Sequence, residues 1–455
     1  MSNKTGKNKK ILFIAYYYYP NTAIGSVRSE KFVKYLSELG WDPCVVTIKD
    51  KYIKNKEESR IEVDTKIYRA GIIYTFNNIY LIIKSFFFKR RIDNKQNPDE
   101  GSSSPIFKED YSHISDVPVW KKLLNLLSSF PDAQMGWIIP ATIKAIRVIR
   151  RDKIDFEYSS GPPHTCHVIA LLVKKFTGCK WVVDFRDPWS TVKKSDNIDS
   201  SLFRWMERRL EKIVIKNADM IISTTRELQK LFENLYPQID KEKFFAVYNG
   251  FDDVEIPVCY KSTKTGQVQF LYAGNLYRGR DPHFFIEAVG SIMEKDGLGG
   301  VNISIDFYGN FAVDSNKIHH VIEEYSLEEI VSFNQPVVRE EYLKMISLAD
   351  VLVLIQSPNP DTAACVPGKT FEYLATGNHI LALVSSGATA NILSEFSNVE
   401  LAHPYKTDEI QRAVLRILEK IKTQRGVNSD YYEKLQKYTR KKQAEYFSEL
   451  LNNRL

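Results

Sequence analysis

Residues 9–48, KKILFIAYYYYPNTAIGSVRSEKFVKYLSELGWDPCVVTI, decide the fold of this 455-residue chain. A short β-rich run ends at Pro20, apolar residues at helical spacing follow, and a second apolar run covers residues 42–48. A strand, a helix and a strand in this order form a βαβ unit, whose right-handed connection makes the two strands parallel. The stretch therefore predicts a parallel sheet covered by helices.

The same alternation of strand and helix patterns continues along the chain and predicts two domains. Residues 1–250 are predicted to form one doubly wound α/β domain, with a flexible polar insertion at about 90–118. Residues 251–430 repeat the pattern as a second Rossmann-like domain, and residues 431–455 are predicted to form an amphipathic helix. A chain of 455 residues is also too long for one compact core.

The composition argues against several classes of protein. Hydrophobic residues make up 44% of the chain and charged residues 26%, which is ordinary for a globular protein. The five cysteines are scattered and form no CxxC pair, so they indicate neither a disulfide framework nor a zinc site and favour a reducing cytosol. The glycine motifs of nicotinamide-binding turns and of P-loops are absent. No apolar run is long enough to span a bilayer.

Basic residues bunch in segments that also carry bulky apolar side chains, although the net charge is a modest +7. Three such segments are 84–91, 120–127 and 143–151. This mixture suits an anionic membrane surface, and equally well an ordinary helix with a solvated basic face. Nucleic acid is not an expected partner, because no nucleic-acid-binding motif accompanies the charge.

The loops that follow the predicted strands are the places to look for a site, because ligands of open parallel sheets bind beyond the carboxyl ends of the strands. Two such domains facing each other would form a cleft. Gly25 and Ser26 open a helix directly after a strand, where free N–H groups and the helix dipole can hold an anion.

Four polar residues follow strands of the first domain. Asp184, Arg186 and Asp187 lie at the end of the apolar run WVV, where charges need a partner or a ligand. They either contact a substrate or form an internal ion pair between Arg186 and one of the two aspartates. His164 opens a helix after GPP and is either a catalytic base or only a partner of the helix N-terminus.

Four charged residues of the second domain suggest a nucleotide. Arg278 and Arg280 lie in a loop between a strand and a helix, where guanidinium groups can grip a diphosphate. Lys369 lies in the first turn of a helix, which is unfavourable unless an anion lies opposite. Glu372 can accept hydrogen bonds from both hydroxyls of a ribose. The alternative is an ion pair between Lys369 and Glu372, worth only ~0.2–0.5 kcal/mol.

Six segments along the chain are, in order, ILFIAYYYYPNTAIGSVRSEKFVKYL, YSSGPPH, WVVDFRDPW, VYNGFD, YAGNLYRGRDP and VPGKTFEYLATGNHILA. Together they resemble the bacterial GT-B-fold glycosyltransferases of family 4, particularly the branch that assembles surface polysaccharides. The resemblance implies an α/β fold of two Rossmann-like domains facing across a cleft. It also implies that the C-terminal domain holds a nucleotide sugar, that the N-terminal domain holds the acceptor, and that the last helix crosses back to the first domain.

The resemblance also assigns roles to individual residues. Glu372 matches the family's ribose-binding glutamate, Arg280 falls at its usual phosphate-binding lysine, and Gly25 matches its N-terminal glycine loop. Asn275 stands where many members have a partner arginine. Ala364 stands where members often carry a second glutamate that contacts the donor sugar, so this chain departs from the family's pattern there.

The implied reaction transfers a sugar from a nucleotide-diphosphate sugar with retention of anomeric configuration. Fixed cations stabilise the departing diphosphate more in the transition state than before it. The candidates for this role are Arg278, Arg280, Lys369 and the helix start at Gly387 and Ala388. No DxD-type carboxylate pair follows a strand, so neither a metal nor a cofactor besides the donor is expected.

The expected partners are a nucleotide sugar and a glycan or lipid-linked acceptor, and the expected location is the cytoplasm, with the basic segments resting on the inner face of the membrane. Two alternatives stay open. A nucleotide-sugar epimerase of the same architecture would release an altered sugar nucleotide without an acceptor. A non-catalytic sugar-nucleotide or glycan-binding partner would turn nothing over, and Ala364 keeps this alternative open.

Overall fold

The chain forms two units, each built on a parallel β-sheet. A computed structural model describes residues 9–53, 65–73, 130–191, 201–252, 267–277, 279–295, 298–423, 427 and 429–455. Within these ranges, strands β1 to β15 are Lys10–Ile14, Asp42–Ile48, Lys66–Ala70, Phe156–Gly161, Lys180–Phe185, Met220–Ser223, Phe244–Ala246, Gln267–Ala273, Leu276–Tyr277, Asn302–Tyr308, Phe311–Ala312, Val331–Asn334, Val351–Ile355, His379–Leu383 and Val399–Ala402. Helices α1 to α13 are Ile24–Glu38, Ile138–Asp152, Thr165–Thr177, Ser201–Asn217, Arg226–Leu235, His283–Glu294, Ser315–Glu324, Arg339–Leu348, Gly368–Thr376, Ala388–Leu393, Thr407–Thr423, Ser429–Gln436 and Arg440–Arg454.

Some of the sequence-based expectations fall on other parts of the chain. The insertion at about 90–118 and the basic segments 84–91 and 120–127 lie outside the described residues, as does Arg278. Within the described ranges, no helix combines the length and the hydropathy needed to span a bilayer.

The first unit comprises the described residues up to Tyr248 together with residues 440–455. Its seven strands pair in parallel in the order β3-β2-β1-β4-β5-β6-β7. Strand β2 is buried at all but its first residue, because helices cover a parallel sheet on both faces. The chain order reverses between β1 and β4, so this is the switch point where a doubly wound sheet binds ligands.

The C-terminal segment is not the single helix expected at 431–455. It is two helices, of which α12 belongs to the second unit and α13 to the first. Helix α13 packs against α1, where the ring of Phe447 lies 5.1 Å from that of Phe32. The indole Nε1 of Trp41 donates to Ser448 Oγ at 2.8 Å. The break between the helices therefore marks the point at which the chain returns to the first unit.

The second unit comprises the described residues from Asn249 to Thr439. Its main sheet is parallel, with the strand order β12-β10-β8-β13-β14-β15, and the chain order reverses between β8 and β13. Strand β13, VLVLI, is buried along its whole length, as expected for a central strand with helices on both sides. The loops that follow β8 and β13 therefore leave the sheet side by side at its switch point.

Candidate functional site

Arg186 ties together the loops at the switch point of the first sheet. Its Nη1 donates to the carbonyl oxygen of Gly25 at 2.6 Å, and its Nη2 donates to that of Pro162. Its Nε donates to the carbonyl oxygen of Gly161 at 3.4 Å. A Cβ on Gly25 would lie 2.5 Å from Nη1, so the glycine is what lets the guanidinium approach the start of α1. Arg186 thus braces this edge of the sheet, and its direct contact with a substrate stays a prediction.

The start of α1 offers less to an anion than the sequence suggested. The amide of Ser26 donates to the carbonyl oxygen of Ala23 at 2.8 Å, and the side chain is fully buried. The Ser26 N–H therefore already closes the first helical turn, while its Oγ has no hydrogen-bond partner among the described residues, and its role as a ligand contact stays a prediction. Gly25 also remains a candidate at this position.

Asp184 is a buried structural charge. Its carboxylate has no exposed surface and accepts hydrogen bonds from Arg28 Nη2 at 2.8 Å, from the Tyr158 hydroxyl at 2.6 Å and from Ser160 Oγ at 2.8 Å. Burial alone would raise the pKa of Asp184, but the charge and hydrogen bonds of Arg28 hold it below its usual value. This geometry makes Asp184 a structural ion-pair partner, and its predicted catalytic role stays a prediction.

The partner of Asp184 is Arg28, which sequence analysis missed. The expected ion pair between Arg186 and Asp184 is wrong, because the structure pairs Asp184 with Arg28 on α1. The alternative pair between Arg186 and Asp187 stays a prediction. Arg28 also donates to the carbonyl oxygens of Val247 and Tyr248 at 2.9 and 3.0 Å. The sequence did contain a signal for this role, because Arg28 lies four residues before the apolar Phe32 and therefore on the same face of α1. The structure shows that this face is buried.

His164 lies at the start of α3 with its ring almost fully buried. It stacks on the indole of Trp189 with ring centroids 4.2 Å apart and an interplanar angle of 7°. The neighbouring His167 is fully buried, and burial lowers its pKa to about 3, so His167 is neutral. Asp187 is exposed near the start of the loop after β5. The catalytic roles of His164 and Asp187 stay predictions.

The Nζ of Lys369 is buried and has no hydrogen-bond partner among the described residues. It lies in the first turn of α9, and its Nζ is 3.8 Å from the ring centroid of Tyr272 at the end of β8. A Cβ on Gly274 would lie 3.0 Å from the same atom. Burial lowers the pKa of Lys369 well below its usual value and the charge of Arg280 lowers it further, while Glu372 opposes both. If this group is protonated, no anionic side chain of the described residues is hydrogen-bonded to it.

The loop after β8 carries the other predicted phosphate contacts. The guanidinium of Arg280 lies over the ring of Tyr277, 4.7 Å from its centroid. Asn275 is exposed, and its Oδ1 accepts from the backbone amide of Asn310 at 3.1 Å, which joins this loop to the one after β10. Arg280 and Lys369 therefore place two positive charges at the switch point of the second sheet, and Asn275 supports the loop.

Glu372 does not pair with Lys369. Its carboxylate accepts from Arg339 Nη2 at 2.6 Å and from the Tyr342 hydroxyl at 2.7 Å, both on α8. Burial and the charge of Glu372 raise the pKa of Tyr342 well above its usual value, so the hydroxyl stays a donor. The alternative of a Lys369–Glu372 ion pair is wrong. Sequence analysis missed Arg339 and Tyr342, because nothing local relates α8 to α9.

At the helix start formed by Gly387 and Ala388, a backbone amide is already bonded to the loop that follows β13. The amide of Ala388 donates to the carbonyl oxygen of Ala363 at 2.7 Å, and a Cβ on Gly387 would lie 2.4 Å from that oxygen. Gly387 also has φ +156°, which L side chains rarely adopt. The Ala388 N–H is therefore already satisfied, and the role of the helix start at Gly387 and Ala388 in stabilising a diphosphate stays a prediction.

The sequence and the fold both resemble those of known proteins. The sequence model of Glycosyltransferase Family 4 matches residues 111–255. The matched segment is about a third of the chain. No curated protein matches the chain.

Solved structures resemble the chain over nearly its whole length. Sucrose-phosphate synthase from Thermosynechococcus elongatus is 13% identical with a TM-score of 0.61, and the match covers 98% of each chain. Anabaena Alr3699/HepE in complex with UDP-glucose is 12% identical with a TM-score of 0.58, covering 97% of this chain and 99% of its own. The lipopolysaccharide outer core galactosyltransferase WaaB is 12% identical with a TM-score of 0.59, covering 98% and 100%. The fold is therefore GT-B.

Most of the segment that matches the family 4 model lies in the first unit. The segment includes His164, Asp184, Arg186 and Asp187, whereas Lys369 and its neighbours lie beyond it and share only the fold with the solved structures. Across the described residues, no group of three or more His, Cys, Asp or Glu side chains is arranged to hold a metal ion.

Proposed function

We propose that the chain is a retaining, metal-independent glycosyltransferase that moves a sugar from a nucleoside-diphosphate sugar to a glycan or lipid-linked oligosaccharide acceptor in surface polysaccharide synthesis. The observation that carries this proposal is the buried ammonium of Lys369, which has no hydrogen-bond partner among the described residues. Its position at the switch point of the second sheet is where α/β sheets bind nucleotides. A diphosphate would supply the missing anion.

The chemistry of the proposed step follows from these charges. When the bond between the sugar and the diphosphate breaks, negative charge grows on the leaving phosphate oxygens. Lys369 and Arg280 are fixed before the reaction, so they stabilise that charge without reorganising. Because the Nζ of Lys369 is shielded from water, its attraction to a phosphate is stronger than that of an exposed lysine.

Glu372 is the proposed ribose ligand, held in place by Arg339 and Tyr342. We expect Glu372→Ala to weaken a ribonucleoside diphosphate by about 1.5–3 kcal/mol, the usual worth of hydrogen bonds to a charged group. The control ligand is the 2′,3′-dideoxy nucleoside diphosphate, which lacks both ribose hydroxyls and cannot donate hydrogen bonds to the carboxylate of Glu372. Titration calorimetry should show that wild type prefers the ribose form and that the variant binds both forms equally. An unchanged preference in the variant would remove Glu372 from the ribose site.

The absence of a metal requirement is a separate expectation. Because fixed cations take the place that Mg²⁺ holds in other nucleotide enzymes, turnover should be unchanged after dialysis against EDTA. Initial rates with and without added Mg²⁺ or Mn²⁺ give the comparison. A rate that collapses in EDTA and returns with metal would contradict this assignment of roles.

The donor is proposed from the ligands of similar structures, and the location from the cysteines. The structures of Alr3699/HepE hold UDP-glucose and UDP, and TarM was solved with UDP, so a uridine diphosphate sugar is the first donor to test. The described cysteines are all free thiols, which suits a reducing cytoplasmic compartment.

The direct test is a thermal-shift screen followed by product analysis. UDP, GDP, ADP and dTDP sugars are compared, because a ligand that binds only the folded state raises the melting temperature. Mass spectrometry with and without a lipid-linked acceptor then separates the functions: a glycosylated acceptor supports the proposal, and an altered sugar nucleotide without acceptor indicates an epimerase. Binding without any product indicates a non-catalytic partner. NMR of the product gives the anomeric configuration.

A further inference from the structure

Helix α4 carries a stripe of cations and large apolar side chains on its outward face. Its members recur at three- and four-residue spacing, and we call them the α4 stripe: Leu202, Trp205, Arg209, Lys212, Ile213 and Lys216. The apolar members Leu202, Trp205 and Ile213 are 50%, 55% and 47% exposed. The guanidinium of Arg209 lies 5.2 Å from the ring centroid of Trp205, so a cation and an indole share one surface.

The acidic residues of α4 point the other way. Glu207 and Glu211 are 2% and 0% exposed, and the carboxylate of Glu211 accepts from the amide and hydroxyl of Ser190 at 2.8 and 2.9 Å. A solvated surface helix ordinarily gains from Glu–Lys pairs one turn apart. Here both acids are buried and Glu211 is bonded to Ser190, and the cations of the α4 stripe make no ion pair within the described part of the chain.

Helix α2 repeats the pattern in the same unit. Ile139 and Ile143 are 59% and 44% exposed, and Arg147 and Arg150 continue the face at helical spacing. Helix α3 contacts both α2 and α4. The Nη2 of Arg150 donates to the carbonyl oxygen of Phe176, at the end of α3, at 3.1 Å. The basic and apolar character of α4 is therefore shared by a second helix packed against α3.

We propose that the α4 stripe docks on an anionic bilayer surface. Its cations would meet lipid phosphates while Trp205 and the aliphatic side chains enter the headgroup region. A protein partner fits less well, because the cores of protein interfaces are depleted in lysine. An indole beside basic residues is typical of the membrane–water boundary. This inference goes beyond the proposed function and does not rest on it.

The test is flotation of the full-length protein with two kinds of vesicle. One kind is pure phosphatidylcholine, and the other is phosphatidylcholine mixed with an equal part of phosphatidylglycerol. Wild type should bind the second kind, and binding should weaken at high salt. Each basic residue near such a surface contributes about fivefold, so Arg209→Gln/Lys212→Gln/Lys216→Gln should weaken binding about a hundredfold. Trp205→Ser should also weaken vesicle binding, and this loss should depend less on salt concentration than the loss caused by removing the three cations.

Matched controls remove the same groups elsewhere. Lys295→Gln/Lys344→Gln/Lys422→Gln deletes three exposed charges of the second unit, and Leu415→Ser deletes an apolar side chain that is 40% exposed there. Both should bind vesicles as wild type does. The proposal is overturned if wild type binds both kinds of vesicle equally, or if the controls lose as much vesicle binding as the α4 variants. The thermal shift with UDP should be unchanged in every variant. A failure of membrane docking can therefore be distinguished from a failure of the proposed nucleotide binding.

Discussion

Replacing Lys369 by methionine should abolish detectable glycosyl transfer while leaving the protein as stable as wild type or more so. The methionine keeps the bulk and the apolar stem of the lysine but removes its charge. We expect turnover to fall by about 10²–10³, the range found when one fixed donor to a developing anion is removed. The melting temperature without ligand should stay level or rise, because an unpaired buried cation is unfavourable in the folded state.

Two further measurements make this prediction specific. Lys344→Met removes an exposed lysine from α8 and should change neither turnover nor the thermal shift with UDP. The pKa of Lys369 is lowered in the ligand-free protein, and a bound diphosphate would raise it again. At a pH above the lowered value, binding should therefore take up a proton, seen by calorimetry in buffers of different ionisation enthalpy. A Lys369→Met protein that binds UDP as wild type does would end the proposal.

Replacing Asp184 by asparagine should act on stability first. The change leaves Arg28 as an uncompensated buried charge, and breaking such a pair costs about 3–5 kcal/mol in the free energy of unfolding. The first unit should therefore unfold at a lower urea concentration. Asp155→Asn is the control, because Asp155 is exposed in the same unit and should change stability by less than ~0.5 kcal/mol.

The ion pair gives this prediction two internal checks. Arg28→Met with Asp184→Asn should destabilise less than the sum of the single changes, because the two residues are in direct contact. The pKa of Asp184 is lowered on folding, so its contribution to stability is present at neutral pH and is lost as the pH falls through that lowered value. In Asp184→Asn this loss should be absent. A variant that unfolds like wild type but has lost turnover would support the predicted catalytic role of Asp184.

The local patterns of the sequence were sufficient for the elements and their order. Residues 9–48 predicted a βαβ unit, and the structure has β1, α1 and β2 there, parallel as the handedness rule requires. The same patterns placed Lys369 in the first turn of a helix that follows a central strand. Periodicity and turn residues act over a few positions, so they can be recognised without knowledge of the fold.

The partners of the charged residues were not predictable in this way. Asp184 bonds to Arg28, 156 positions away, and Glu372 to Arg339, 33 positions away, although closer candidates of opposite charge were available in each loop. The amide of Ala388 was expected to be free and is occupied by the carbonyl of Ala363. Each of these pairs depends on which strands are neighbours and on how closely two loops approach.

The sequence by itself therefore determined two parallel-sheet units, the positions of their loops and the presence of a cation where a helix would normally avoid one. Only the tertiary structure decided which charges are already neutralised and which still lack a partner. The physical reason is that burial and contact are set by the packing of distant segments, and a charge becomes informative only when its surroundings are known. Asp184 proved to be satisfied within the protein, whereas the ammonium of Lys369 has no hydrogen-bond partner among the described residues.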